Sequence, residues 1–278
     1  MTEDSMVTSE AGSEPQDDLL AVLRVLAERA GKIALAYYTE AEEIEVRDKP
    51  DASPVTEADE ACEAFLLEAL HKLTPDIPVV SEEASSQQGL PDIDTAQPFW
   101  LVDPLDGTRE FISRNGEFTV NVALIRDRRP VAGVVHAPAL AMTWCGGFDD
   151  DGSGHASFNE TDRPPMTIAV RKTPDTGETV IASRRHGAGE ELDAFLARRK
   201  IAERVTAGSS LKFCLIASGK ADLYPRFGPT MEWDTAAGQA VLTAAGGTVE
   251  TLDGDLLRYG KAGFANPNFV AVNRRRDA

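Results

Sequence analysis

Two aspartates close an apolar run in residues 100–111, WLVDPLDGTREF, spaced by three with a proline between them. The run opens with Trp100, Leu101 and Val102 like a buried strand, and Asp103 and Asp106 end it. Carboxylates this close repel, and beside a core they are poorly hydrated, so a cation is the natural compensation. Other acids fall in comparable places. Glu82 and Glu83 follow the strand-like IPVVS, Asp59 opens the helix-like TEADEACEAFLLEALHKL, and Asp234 precedes the helical pattern of EWDTAAGQAVLTAAGG. In layered sheets, groups just past strand ends and at helix starts converge on one crevice. Donors that are all oxygen suit hard cations such as Mg²⁺ or Mn²⁺ and disfavour Zn²⁺. Pro104 would turn the Leu105 carbonyl outward as a further oxygen donor, and Gly107-Thr108 would open a helix whose free N–H groups accept a phosphate. Each feature also has a plainer reading: Glu82-Glu83 as solvated surface, Asp59 as a helix cap after Thr56, and DPLDGT as a capped turn.

The elements that must carry these residues follow from periodicity. DDLLAVLRVLAERAGKIALAYY has apolar residues at helical spacing, with Asp17 and Asp18 at its start. IEVRD reads as a strand, KPDASPV as a loop, and residues 56–73 as a second helix. IPVVSEE and FWLVDP are strands ending in acid, and FTVNVALIRD, RPVAGVVHAP and AMTWCGGF are consecutive strands, which predicts an antiparallel portion. After a loop, DDDGSGHASFNETDRPP, strands (MTIAV, ETVIAS, RVTAG, ADLYPR) alternate with helices (EELDAFLARR, SSLKFCLIASG and residues 232–247). The expectation is a mixed α/β protein of two lobes. Residues 1–16 form a disordered acidic tail, 17–160 an α+β lobe with most of the carboxylates, and 161–278 an α/β lobe.

Composition bounds the function. The 278 residues carry a formal charge of −18, which argues against a nucleic-acid polymer but not against a small anion in a locally basic or metal-filled pocket. Cys62, Cys145 and Cys214 form no CxxC pair and sit among apolar neighbours, as in a reducing compartment. The longest apolar stretch is broken by His136 and Pro138, and the acidic N-terminus lacks the basic-then-apolar pattern of a secretion signal. The expected location is the cytoplasm, with no integral membrane segment and at most a peripheral association with the inner membrane.

The set SPVTEAD, VVSEE, WLVDPLDGTREFISRNGEFTVNVALI and EWDTAAGQAV resembles the inositol monophosphatase superfamily of Mg²⁺-dependent, lithium-sensitive phosphatases. The resemblance runs from about Asp17 to Asn273. Within the superfamily, Glu110 and the stretch VTAGSSLKFCLIASGKADLYPRFGPT look like the 3'(2'),5'-bisphosphate nucleotidase branch; inositol monophosphatases usually carry asparagine at the position of Glu110. Met231-Glu232 before Trp233 departs from common variants of that turn.

The resemblance implies a layered αβαβα sandwich of the sugar-phosphatase type. It implies that Glu82, Asp103, the Leu105 carbonyl, Asp106 and Asp234 hold two or three Mg²⁺ ions, with Mn²⁺ as a substitute. Asp59 and Thr108 would polarise the attacking water, with Glu82 helping to hold it. Substrate contacts would come from Glu82, Leu105, Asp106, Gly107, Thr108, His186, Ser209, Lys212, Arg226 and Asp234, and Lys49 would belong to a flap over the site. The implied reaction removes the 3'-phosphate of adenosine 3',5'-bisphosphate, or acts on its 5'-phosphosulfate counterpart. AMP and phosphate are released, and a by-product of sulfate assimilation is cleared. The enzyme would be a monomer or homodimer. The alternatives are an inositol or other sugar phosphatase, and a protein-binding regulator on a phosphatase fold.

Overall fold

The computed structural model describes residues 15–40, 45–49, 53–182 and 189–274. The expected tail therefore falls almost wholly outside the described residues, as does His186. Helix α1 spans Pro15–Glu40, two residues earlier than the Asp17 start, with proline in the first turn where a missing N–H is tolerated. A short hairpin follows, β1 (Val46–Asp48) against β2 (Pro54–Thr56), and then α2 (Glu57–Leu73). Next come β3 (Val79–Ser81), α3 (Glu82–Gln88), β4 (Phe99–Asp106) and α4 (Thr108–Ile112). Strands β5 (Thr119–Arg126), β6 (Arg129–Ala137), β7 (Met142–Phe148), β8 (Gly154–Glu160) and β9 (Met166–Thr167) complete a seven-stranded sheet in the order β3-β4-β5-β6-β7-β8-β9. It is antiparallel except for the β3–β4 pair.

The remaining elements build a second sheet. These are β10 (Glu178–Ala182), α5 (Glu190–Leu196), β11 (Ile201–Thr206), α6 (Leu211–Ala217), β12 (Leu223–Arg226), α7 (Ala236–Ala244), β13 (Thr248–Thr251) and β14 (Phe269–Val272). Its five strands run in the order β11-β10-β12-β14-β13.

Strand alternation sorts the core into layers. In β4, Trp100 and Val102 pack with α1 and α2 residues such as Leu23, Leu66 and Leu70, whereas Phe99 and Leu101 share a cluster with α6, α7 and the second sheet. Beyond that sheet, Leu192 and Leu196 of α5 cover Val180, Leu223 and Val270. The order is helices, seven strands, helices, five strands, helix: the αβαβα sandwich that was expected.

Helix α7 lies unusually close to the first sheet. A Cβ at Gly146 would stand 2.4 Å from Val241 Cα, and one at Gly133 would stand 2.7 Å from Ala240 Cβ. Gly133 and Gly146 face each other in the β6–β7 ladder. The glycines thus floor a groove that seats the small residues of α7, and Asp234 is placed two residues before that helix.

One expectation changes. The stretch 149–165, read from the sequence as a loop, contains β8, which pairs along β7 from Met142↔Glu160 to Phe148↔Gly154. Its Gly, Ser and Asn content masked a strand, flanked by β7 and the short β9, whose Ala156 is buried, since small and polar residues are tolerated where a strand covers a helix end. Conversely, MTIAV yields only the two-residue β9.

Candidate active site

Spacing of three should send Asp103 and Asp106 to opposite faces of a strand. The β4–β5 register shows why it does not. Asp103 pairs with Asn121 and Asp106 with Thr119, so β4 spends one extra residue there. A bulge of this kind re-aims the side chains that follow it, and here it turns Asp106 toward the central helical layer that Asp103 already faces. Pro104 lacks the N–H that an unbroken ladder would need. Leu105, 2% exposed, donates its N–H to Asp103 Oδ1 at 3.1 Å.

Glu82 enters from the neighbouring strand, because β3 runs parallel to β4 and ends opposite Val102. Asp234 arrives from the turn before α7, where its Oδ2 accepts Met231 N–H at 2.8 Å. Glu82, Asp103 and Asp234 each bring a carboxylate oxygen to within 4.8 Å of the other two. Asp106 stands beside them, its Oδ2 2.9 Å from Ser210 Oγ and 3.3 Å from Asn121 Nδ2.

Burial first, then mutual repulsion, holds the Asp103 and Asp234 carboxyls well above the usual carboxylate range. Asp106 is raised as well, by burial opposed by Lys212 and the Ser210 hydrogen bond. Such crowding marks negative charge short of compensation. Lys49 supplies part of it, donating from Nζ to Glu82 Oε1 and Glu83 Oε1, each at 2.6 Å. Desolvation works against the Lys49 charge, but the two glutamates outweigh it and its pKa is raised. Glu83, desolvated and beside Glu82, is pushed up to about 8. A hard divalent cation fits this donor set, which offers only oxygens and excess negative charge.

Asp59 lies behind the cluster and is 1% exposed. Its Oδ2 accepts the Thr56 N–H at 2.9 Å and the Thr56 hydroxyl at 2.5 Å, a capping box that starts α2. Its other oxygen accepts the Thr108 hydroxyl at 3.1 Å. The helix cap thus uses one oxygen of Asp59 and the Thr108 contact the other. Gly107, at φ 93°, makes the left-handed turn into α4 that presents Thr108.

Across the crevice, Ser209 precedes α6 and turns its hydroxyl to the Glu117 carbonyl at 2.9 Å. Lys212 donates to the Ser209 carbonyl, and burial first lowers its pKa to about 8 despite the nearby Asp106. Arg226 ends β12 and donates from Nη2 to Pro229 O at 2.8 Å, while its buried Nε has no hydrogen-bond partner among the described residues. Glu82, Asp106, Gly107, Thr108, Ser209, Lys212, Arg226 and Asp234 all line one cavity of about 380 Å³; Asp103, Leu105 and Asp59 are buried and do not line it, Asp103 meeting Glu82 and Asp234, and Asp59 meeting Thr108.

The spacing argument passed over several supporting residues. Asn121 and Ser210 hold Asp106. Glu63, buried on α2, accepts the Ser81 hydroxyl and the Ala84 N–H, and so fixes the start of α3 and with it Glu82. A signal existed in each case: Asn121 is a lone amide inside the apolar TVNVALI, and Glu63 falls on the buried stripe of α2 with Asp59, Leu66 and Leu70.

The layering and the acidic crevice at the strand ends together define a sandwich of the sugar-phosphatase type. The model of the inositol monophosphatase family matches residues 15–277. The chain belongs to that family. Two curated relatives are 3'(2'),5'-bisphosphate nucleotidases named CysQ. The one from Salmonella typhimurium strain LT2 is 45% identical over 245 residues, 88% of this chain and 95% of its own. The one from Escherichia coli K12 is 44% identical over 246 residues, with the same shares. Among solved structures, CysQ from Bacteroides thetaiotaomicron superposes with a TM-score of 0.74 at 33% identity, covering 94% of this chain and 99% of that one.

Proposed function

We propose that this protein is a Mg²⁺-dependent 3'(2'),5'-bisphosphate nucleotidase that hydrolyses adenosine 3',5'-bisphosphate to AMP and phosphate. One observation carries the reading: a cation-accepting carboxylate cluster and two cationic side chains, Lys212 and Arg226, face each other across one cavity. A nucleotide with phosphates at both ends of its ribose needs both halves. The nucleotidase relatives support the same substrate class.

Glu82, Asp103, Asp106, Asp234 and the Leu105 carbonyl would hold the magnesium ions. When bound, magnesium neutralises charge on the transferred phosphoryl group and acidifies water. Asp59, fixed by its capping box, would orient the Thr108 hydroxyl so that the free lone pairs of Thr108 receive a hydrogen bond from the attacking water. Water adds to phosphorus and releases one proton to solvent, the bond from phosphorus to the 3'-oxygen breaks, and that oxygen leaves as a hydroxyl with a proton from solvent. Lys212 and Arg226 would hold the 5'-phosphate, Arg226 with a two-pronged contact.

The test is phosphate release from adenosine 3',5'-bisphosphate, inositol 1-phosphate and fructose 1,6-bisphosphate, with Mg²⁺, with EDTA, and with Asp106→Asn. A metal-dependent preference for the nucleotide, lost in Asp106→Asn, is the expected result. A preference for inositol 1-phosphate would retain the metal chemistry and sink the substrate assignment. No turnover of any of the three would favour a regulatory role.

A further inference from the structure

We infer that Glu117 is the positioning residue of the 5'-phosphate subsite, fixing the turn that carries Ser209 and Lys212; the inference rests on the nucleotidase reading above. Glu117 lies in the connection between α4 and β5, more than 90 residues before that turn, and does not itself line the cavity. It holds the turn twice. Gly208 N–H donates to its carboxylate Oε2 at 2.6 Å, and the Ser209 hydroxyl donates to its main-chain carbonyl at 2.9 Å.

The contact is close enough to exclude any side chain at position 208. A Cβ on Gly208 would stand 2.9 Å from the Glu117 carbonyl oxygen and 3.0 Å from Glu117 Cβ and Glu110 Cγ. Ser209 adopts φ 39°, a left-handed conformation that is rare outside glycine and persists where surrounding contacts impose it. That conformation has a purpose downstream. The Ser209 carbonyl accepts the Lys212 ammonium, which lies 5.3 Å from the Tyr224 ring centroid. Tyr224 is wedged edge-on against Phe213 and Phe269 at 5.3 and 5.7 Å, so the ammonium has a rigid wall on that side. Glu117 therefore sets the backbone that sets the cation. Its Oε2 is engaged by the Gly208 N–H, and Glu117 does not line the cavity.

The test compares full-chain kinetics in Mg²⁺ on adenosine 3',5'-bisphosphate and on adenosine 3'-monophosphate, which lacks the 5'-phosphate. Glu117→Ala should raise KM for the bisphosphate about tenfold with kcat within about twofold, the size of one lost charge-assisted hydrogen bond. KM for the monophosphate should stay put, and Glu117→Gln, which keeps an acceptor for Gly208, should restore the bisphosphate KM. Gly208→Ala pushes on the same contact from the other side; it should raise the same KM, and it decides the matter if Glu117→Ala does not fold. Equal losses on both substrates, or an unmoved bisphosphate KM in these variants, overturn the inference. If the unsubstituted chain does not prefer the bisphosphate, the nucleotidase reading falls and this inference with it; that is read before any variant is made.

Discussion

Lys49 is the residue whose removal should say most about the charge balance of the crevice. Its ammonium sits between Glu82 and Glu83, and its side chain is 4% exposed. Lys49→Met leaves two glutamates with no cation between them, which should lower stability by about 3 kcal/mol at pH 8.5 in urea melts, as when one partner of a buried ion pair is removed. The loss should shrink at pH 6, because Glu83, pushed up to about 8 by burial and by Glu82, takes up a proton there. A pH-independent loss would contradict this. Asp59→Asn should reduce kcat by about 10²-fold or more while moving KM little, since it disorients Thr108 rather than the substrate. The metal-type carboxylates were legible in the sequence because an acid after an apolar run is conspicuous. Glu117 and Ser210 were not, because a polar residue in a polar loop has no pattern to break; only the fold shows what it touches.

At the scale of elements, the β4 bulge and the α7 groove decide where the carboxylates meet. Gly146→Ala should destabilise the protein by about 2–3 kcal/mol, since the added methyl meets the α7 backbone rather than a movable side chain. Metal affinity should fall with it, as Asp234 shifts with its helix; an unchanged affinity measured by calorimetry would show that the turn is held elsewhere. His136, on β6 and beneath α1, supplies a pH test. Burial lowers its pKa from 6.5 to about 4, with Lys32 adding to the effect, and its Nδ1 lies 2.8 Å from Thr143 Oγ1. The folded state therefore favours the neutral ring. Its contribution is intact above about pH 6.5 and disappears as pH falls toward 4, a difference of about 3 kcal/mol. His136→Gln should flatten the urea midpoint over that range relative to the parent. The long helices and the inner strands were readable from period, whereas the short α3 and β8 were hidden: a strand shielding a helix end needs no apolar alternation.

For the molecule as a whole, carboxylates gathered from the start of α3, from β4 and from the turn before α7 mean that the layers meet where like charges repel. Mg²⁺ should therefore raise the melting temperature and EDTA should lower it, with about 2.7 kcal/mol of added stability when Mg²⁺ stands at a hundred times its Kd. Asp234→Asn should reverse the pattern, melting higher than the parent in EDTA and responding weakly to Mg²⁺. The mixed α/β class was legible because the apolar patterns alternate in type along the chain, whereas the αβαβα order came only with the family resemblance. The convergence of Gly208 on Glu117 across more than 90 residues was not legible, since nothing local encodes it.

The glycine-floored groove also bears on how the molecule opens. A helix whose backbone touches a sheet backbone cannot slide or tilt without lifting away entirely, so α7 should separate only when both sheets come apart. Its amides should be among the last to exchange with deuterium, at the free energy of global unfolding, while those of the β1–β2 hairpin exchange through small local openings. The acid that α7 delivers is then anchored to the slowest-breathing part of the chain.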